Sequence, residues 1–134
     1  MAILKIARSA KKEGSDSLHI KRGHIKASVT ALQFKDADTH QSVVFIPSLG
    51  ISGYGETREK AEEIVKFNMD EFFKYIVLLS QKKRDSELAA LGWKQNKLKA
   101  KEFSNAYVDG EGELKEFNAL DGKIERLTLV SQSC

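Results

Sequence analysis

The chain has 134 residues, of which 41% are hydrophobic and 31% charged, and its formal net charge at pH 7 is +3. This length suits one domain with an ordinary core, and so small a net charge does not indicate a nucleic-acid partner. The single cysteine, Cys134, excludes an internal disulfide framework and a multi-cysteine metal site. Because no apolar run approaches the roughly 20 residues of a membrane span and the apolar start is too short for a signal peptide, we expect a cytoplasmic protein.

Residues 1–24 contain a predicted strand and a basic segment. Residues 2–7 alternate well enough for a short strand, whereas residues 9–22 place lysines and an arginine among Gly, Ser and Asp. That composition predicts a mobile basic loop rather than a packed element. A nucleic-acid-binding arm would carry more arginines or aromatic residues, so a solvated loop is the favoured interpretation.

Three strands are predicted next. Apolar residues alternate with polar ones over residues 25–31, which indicates a half-buried strand. The alternation changes phase at Leu32 and Phe34, which suggests a β-bulge. Residues 42–46 are β-rich and apolar on both faces, so the two runs predict an antiparallel hairpin, and a third short strand follows around residues 50–54.

A long amphipathic helix begins near Thr57, whose hydroxyl suits an N-cap, and Glu59 lies where the helix dipole favours a negative charge. Apolar residues then recur at spacings of three and four over about 20 residues, or roughly 30 Å of helix. This predicted core stripe contains Ala61, Val65, Met69, Phe72, Ile76 and Leu79, and is widened by Ile64, Phe73 and Val77.

Phe67 and Leu78 fall outside this stripe, beside charged residues. Either the C-terminal part of the chain covers them or another subunit does. They are the predicted partner interface, and we expect a homodimer formed through the long helix or through an edge strand.

The passage from strand to helix carries a recognisable set of residues: Pro47, Gly50, Gly55, Thr57, Glu59 and Ala61. With the strands before it, this Gly-x-Thr-x-Glu-x-Ala pattern resembles the HicB family of antitoxins and its stand-alone relatives over residues 25–80. The resemblance implies a β-β-β-α core and a non-catalytic protein that covers the RNA-binding surface of a small basic toxin, through the sheet face and the helix flank at Phe67 and Leu78. Nothing after Ser80 predicts the C-terminal DNA-binding domain usual in that family.

The remaining residues, 81–134, predict a short helix and an antiparallel meander. The helix is predicted over residues 85–91, ended by Gly92 as a C′ residue. The strands are predicted over residues 93–103, 113–120 and 123–130, with turns at Asp109-Gly110 and Asp121-Gly122. The meander either extends the first sheet or packs on the exposed side of the long helix, and residues 1–134 form one α+β domain.

Lysines cluster in the first of these strands, at Lys94, Lys97, Lys99 and Lys101. Lysines on one side of a strand can follow a phosphate backbone, which makes a small RNA- or DNA-binding module the alternative function. The same lysines can protect a sheet edge from mispairing, and the sequence favours that role.

No catalytic arrangement can be named. Asp36, Asp38 and His40 could bind a hard cation, but these residue types are typical of a hairpin loop. Asp109, Glu111 and Glu113 lack the full ligand set of a calcium loop. A degenerate ribonuclease-H-like enzyme would need paired acidic residues on adjacent strands, and the predicted strands offer none. The sequence therefore predicts no enzyme, no cofactor and no metal site.

Overall fold

The structure is a computed structural model that describes residues 2–7, 15–96, 101–106 and 119–133. These residues form an α+β fold, which confirms the predicted class. The strands are β1 Ala2–Ala7, β2 Ser15–Lys21, β3 His24–Asp36, β4 Ser42–Ile46, β5 Ile51–Gly55, β6 Lys94–Gln95, β7 Glu102–Ala106 and β8 Ala119–Ser133, and the helices are α1 Arg58–Leu78 and α2 Gln81–Ala90. The predicted β-β-β-α order over the central part of the chain is present as β3, β4, β5 and α1.

The long strand β3 organises the sheet. The strand order is β1-β8-β3-β2-β7-β6, and β4 pairs with both β3 and β5. Two strands share one edge of β3: β2 pairs with the first part of β3, and β4 pairs with residues 32–35. β8 pairs along the other edge of β3. All of these pairings are antiparallel. The sheet therefore divides where β2 and β4 separate.

Helix α1 packs mainly on β5 and β4. Directly opposite residues of an antiparallel ladder share a face, so Val44 and Gly53 lie together on the face that α1 covers. A Cβ on Gly53 would lie 2.4 Å from Val65 N and 2.6 Å from Ala61 O. Glycine is therefore required at this position, because a larger residue would push α1 away from the sheet.

The turn before β5 explains two residues of the strand-to-helix motif. Pro47 follows the last residue of β4, and Gly50 has a φ of 64°, in the left-handed region that favours glycine. The Gly50 amide donates to the Ile46 carbonyl over 2.9 Å, which closes the turn. A Cβ on Gly55 would lie 2.7 Å from Lys60 Cβ, so this glycine admits the first turn of α1.

The N-terminal segment departs from its prediction. β1 is present at residues 2–7, but residues 15–21 form the strand β2 rather than a mobile loop. Its inward residues Leu18 and Ile20 are buried, and it pairs with β3 on one side and β7 on the other. The basic residues concealed this strand, because Lys21 and Arg22 lie at the hairpin tip, where Arg22 and Gly23 have the positive φ angles of a type I′ turn.

The bulge predicted at Leu32 and Phe34 lies slightly later in β3. The pairing with β8 is regular through Phe34, and its register shifts between Phe34 and Asp36. The phase change at Leu32 has a different cause: Leu32 is buried on the opposite face from its buried neighbour Ala31. Both faces of this part of the sheet therefore hold apolar side chains.

The C-terminal strands extend the first sheet, which was one of the two predicted arrangements, but they do not follow one another as a meander. β6 and β7 pair with each other, so residues 93–103 are not one strand. β8 lies between β1 and β3, apart from β7, so β7 and β8 are not neighbours as a meander would make them. Asp121 and Gly122 have φ angles of 56° and 65° but lie within β8. Residues 113–118 lie outside the described part of the chain.

Helix α2 begins four residues earlier than predicted. Ser80 is its N-cap and accepts a hydrogen bond from the Lys83 amide. Its end agrees with the prediction, because Gly92 follows with a φ of 95°.

Candidate functional site

The inner face of α1 belongs to the core. Thr57 is the N-cap and accepts from the Lys60 amide over 3.1 Å, Glu59 lies exposed in the first turn, and Ala61 is buried. The buried residues of the helix are Ala61, Val65, Met69, Phe73 and Ile76. Phe73, rather than the predicted Phe72, therefore completes the inner stripe, while Phe72 packs beside it partly buried.

The outer face of α1 carries a second set of large apolar side chains. Phe67 is 60% exposed and Leu78 is 85% exposed, as their positions outside the core stripe predicted. The C-terminal residues that the structure describes therefore leave both side chains uncovered. Together with charged residues at the same helical spacing they form what we call the outer stripe, which consists of Ile64, Phe67, Glu71, Lys74, Tyr75 and Leu78.

Charges lie within and beside the outer stripe. Glu71 Oε1 and Lys74 Nζ are 3.5 Å apart within it. Three carboxylates lie along one flank of the outer stripe. They are four and seven residues apart, so they lie one above another on the helix, and we call them the acidic strip: Glu59, Glu63 and Asp70. Glu63 lies 3.5 Å from the Lys60 ammonium, and Asp70 Oδ1 is buried without a hydrogen-bond partner. The exposed carboxylates Glu59 and Glu63 therefore share this side of the helix with Lys60 and Lys66.

Neighbouring side chains fix the position of α1. The Tyr75 hydroxyl donates to Glu87 of α2 over 3.2 Å, and the Glu87 charge raises the pKa of Tyr75. The Asn68 amide donates to the Ser52 carbonyl of β5 over 2.8 Å. Arg84 of α2 donates to three carbonyls at the end of α1. The outer stripe is thus held on a helix anchored at its C-terminal end and along its sides.

Sequence reasoning missed a buried polar network at the point where β2 and β4 separate. Asp16, only 3% exposed, accepts hydrogen bonds from Thr30 N and Thr30 Oγ1 and from Ser48 Oγ over 2.5 Å. The Trp93 indole donates to the Ser48 carbonyl over 2.9 Å. The sequence held one signal of this burial, because Asp16 alternates with Leu18 and Ile20, whose side chains face the core. Because Asp16 and Ser48 are buried, the network joins chain segments rather than contacting a ligand.

Of the lysines predicted to lie on one strand, the two that the structure describes lie on different elements. Lys94 is exposed on β6, the last strand in the sheet order, which suits protection of a sheet edge. Lys101 is exposed in the turn before β7, while Lys97 and Lys99 lie outside the described residues. The Lys101 carbonyl accepts from the Ile20 amide, which brings Lys101 beside the β2–β3 hairpin. We call the exposed cations of this region the basic cluster: Lys21, Arg22, Lys26, Lys94 and Lys101.

The Asp36 loop has the structure of a turn. Asp36 Oδ2 accepts from the Thr39 amide over 2.8 Å and from the Asp38 amide over 3.2 Å, which confirms the turn interpretation. Within the described residues, no group of three His, Cys, Asp or Glu side chains is placed to hold a metal ion. Asp109, Glu111 and Glu113 lie outside that part of the chain.

Comparisons with protein-family models, curated proteins and solved structures found no match. The resemblance to HicB antitoxins therefore rests on the residues of the strand-to-helix motif. No helix in the described part of the chain is both long and apolar enough to cross a membrane.

Proposed function

We propose that this chain is a non-catalytic, HicB-like protein-binding module that acts as a dimer and covers a small basic protein, as an antitoxin covers its toxin. The observation that carries the dimer of this proposal is the outer stripe of α1, where Phe67 and Leu78 remain exposed on a helix whose inner face is fully used by the core. Contiguous apolar surface of this kind is typical of a protein–protein interface.

The energy of exposed apolar surface supports a binding function. Removing a Phe or Leu side chain from water stabilises a complex by about 1.5–3 kcal/mol when burial is complete. Single exposed apolar residues are common, but here four of them recur along one side of one helix. A partner that covers the outer stripe would gain from all four.

The acidic strip supports a basic partner. Glu59 and Glu63 are exposed, and the Asp70 carboxylate has a buried oxygen without a hydrogen-bond partner. Cationic side chains on a partner would pair with the exposed Glu59 and Glu63 rather than with the buried Asp70 oxygen, and charge complementarity of this kind directs both association and specificity. We assign the basic protein to the acidic strip, so that the outer stripe is left for self-association.

The motif residues support the scaffold rather than a chemical role. Gly50 and Gly55 shape the backbone, Thr57 caps the helix and Ala61 packs in the core. A family defined by such residues shares a way of joining sheet to helix, and its members differ in their surfaces.

The proposal is tested by capture followed by titration. The tagged chain is recovered from the cells that make it after nuclease treatment, and the bound proteins are identified by mass. We expect a small basic protein in equimolar amount. In calorimetric titration of that purified protein, the double variant Glu59→Gln/Glu63→Gln should bind at least about tenfold more weakly, or about 1.4 kcal/mol.

The matched control removes two carboxylates elsewhere, in Asp38→Asn/Asp121→Asn, and should bind with unchanged affinity. Absence of a basic protein from the captured material would contradict the proposal. Equal weakening by the strip variant and the control would remove the acidic strip from it.

Nucleic-acid binding is the second candidate, and the position of Lys101 beside the β2–β3 hairpin favours it. The basic cluster brings together cations from β2, β3, β6 and the β6–β7 turn, and each phosphate contact adds to the salt dependence of binding. Fluorescence anisotropy with a labelled RNA should then show binding at about 50 mM salt that weakens steeply as salt increases.

The variant Lys21→Gln/Arg22→Gln/Lys101→Gln should lose most of this binding. The control Lys66→Gln/Lys82→Gln/Lys83→Gln removes the same charge from the helices and should retain it. A chain that binds no RNA or DNA at about 50 mM salt does not have this function.

A further inference from the structure

We infer that the outer stripe of α1 packs against the same stripe of a second copy of this chain, with the two helices antiparallel. The two-fold axis would pass α1 midway between positions 72 and 73. The inference sharpens the dimer of the proposed function, and it does not depend on the identity of any other partner.

The spacing of the stripe is that of a helix–helix seam. Counting from Ile64, the stripe continues at Phe67, Glu71, Lys74 and Leu78, at intervals of three and four residues. These are the a and d positions of a heptad repeat, which face the partner in a coiled coil. The inner stripe faces the sheet, so this seam is directed away from the rest of the fold.

Charge complementarity identifies the occupant and its direction. In the antiparallel arrangement Glu71 faces Lys74 of the second copy and Lys74 faces its Glu71, because the two residues are equally spaced about the axis. Phe67 and Leu78 are also equally spaced about it, so each aromatic ring meets an aliphatic side chain. Four of the stripe residues therefore pair with one another as an isologous interface requires, whereas Ile64 and Tyr75 stand opposite positions 81 and 70 of the second copy, at the margin of the seam.

A parallel arrangement would not do this. It would place Glu71 against Glu71 and Lys74 against Lys74, and like charges facing across a seam are destabilising. The direction of the pairing is thus specified by the order of the two central charges.

The size of the seam sets the expected strength. Residues 64–78 span about 21 Å of helix, so the contact is smaller than the roughly 800 Å² per partner of a standard interface. We therefore expect a dimer in reversible equilibrium, with a dissociation constant on the order of 10 µM.

Sedimentation equilibrium of the purified full chain tests the association. The mass should rise with concentration toward twice the 15.0 kDa of the chain. A chain that stays monomeric to about 500 µM, well above the expected dissociation constant, would overturn the inference.

A charge exchange tests the register. Glu71→Lys alone and Lys74→Glu alone each place like charges across the axis and should weaken the dimer at least about tenfold. The double variant Glu71→Lys/Lys74→Glu restores opposite charges and should recover most of the affinity. Circular dichroism of each variant confirms that the helix content is unchanged.

Sedimentation equilibrium also tests a control variant and the alternative positions of the interface. Tyr54→Ser alters a side chain that is 62% exposed on β5, away from the stripe, and should leave the dimer intact. Loss of the dimer in this variant would place the interface on the sheet and overturn the inference. Single charge variants that dimerise normally, or a double variant that fails to recover, would overturn the antiparallel register.

Because the basic partner is assigned to the acidic strip and the dimer to the outer stripe, different variants test the two proposals. Glu59→Gln/Glu63→Gln should lose the basic protein but remain dimeric, and Glu71→Lys should show the converse.

Discussion

The two faces of α1 contain similar side chains that differ in their exposure to solvent. Phe73 on the inner face is almost completely buried, whereas Phe67, less than two turns earlier, is 60% exposed. Both are phenylalanines on one helix, so their intrinsic helix propensity and hydrophobicity are the same. What differs is whether the fold supplies a neighbour, and the comparison separates residues that build the domain from residues available to bind.

The largest difference is expected between matched alanine substitutions on these faces. Phe73→Ala should lower the free energy of unfolding by about 3–5 kcal/mol, because it removes buried contacts and leaves a cavity. Phe67→Ala should change it by no more than about 0.5 kcal/mol, because the ring is mostly in water. Urea unfolding followed by circular dichroism measures both, and similar losses would show that Phe67 is covered within the monomer.

A smaller loss is expected where the inner face meets the sheet. Gly53→Ala should cost roughly 1–3 kcal/mol or more, because the added methyl group would meet the backbone of Val65 and Ala61, which cannot rotate away. The neighbouring Ser52→Ala, on the exposed side of β5, is the control and should be nearly neutral. If Gly53→Ala unfolds at the same urea concentration as the wild type, α1 does not approach β5 this closely.

The smallest effect is expected at Glu62, which is half-buried in the second turn of α1, on the side of the inner residues. Burial, the largest cause, raises the pKa of Glu62, with Glu59 and Glu125 adding to the rise and Arg58 opposing it. When the pKa of a carboxyl is higher in the folded state than in the unfolded state, its ionisation lowers the free energy of unfolding as the pH rises above about 4.5. Glu62→Gln should therefore stabilise the protein at pH 7 by about 0.5 kcal/mol or less. Thermal unfolding should show the gain at pH 7 and none near pH 4.

The inner face and the strand-to-helix passage could be predicted because their signals are local. The period of apolar residues in α1, the N-cap Thr57 and the C′ residue Gly92 all depend on residues within a few positions of one another. Phe72 and Phe73 were interchanged because both lie within the width of the stripe, and only the neighbouring elements decide which is deeper.

The rest could not be predicted because it depends on distant residues. β2 carries too many polar residues to be recognised as a strand until β3 and β7 are placed beside it. The role of Asp16 requires Ser48, 32 positions away, and Trp93 beyond it. The exposure of Phe67 and Leu78 was predicted from helix geometry, but their availability depended on where the C-terminal strands pair.

The pairing of β3 with β8 also has a consequence for biosynthesis. The central strand of the sheet meets its longest neighbour only after residues 119–133 have been made, roughly 90 residues after β3 itself. A growing chain therefore carries β3 with one edge unpaired for several seconds at ordinary synthesis rates, during which it is open to mispairing. It follows that residues 25–80, although they contain the recognisable motif, should not fold as an excised fragment, because β8 completes their sheet.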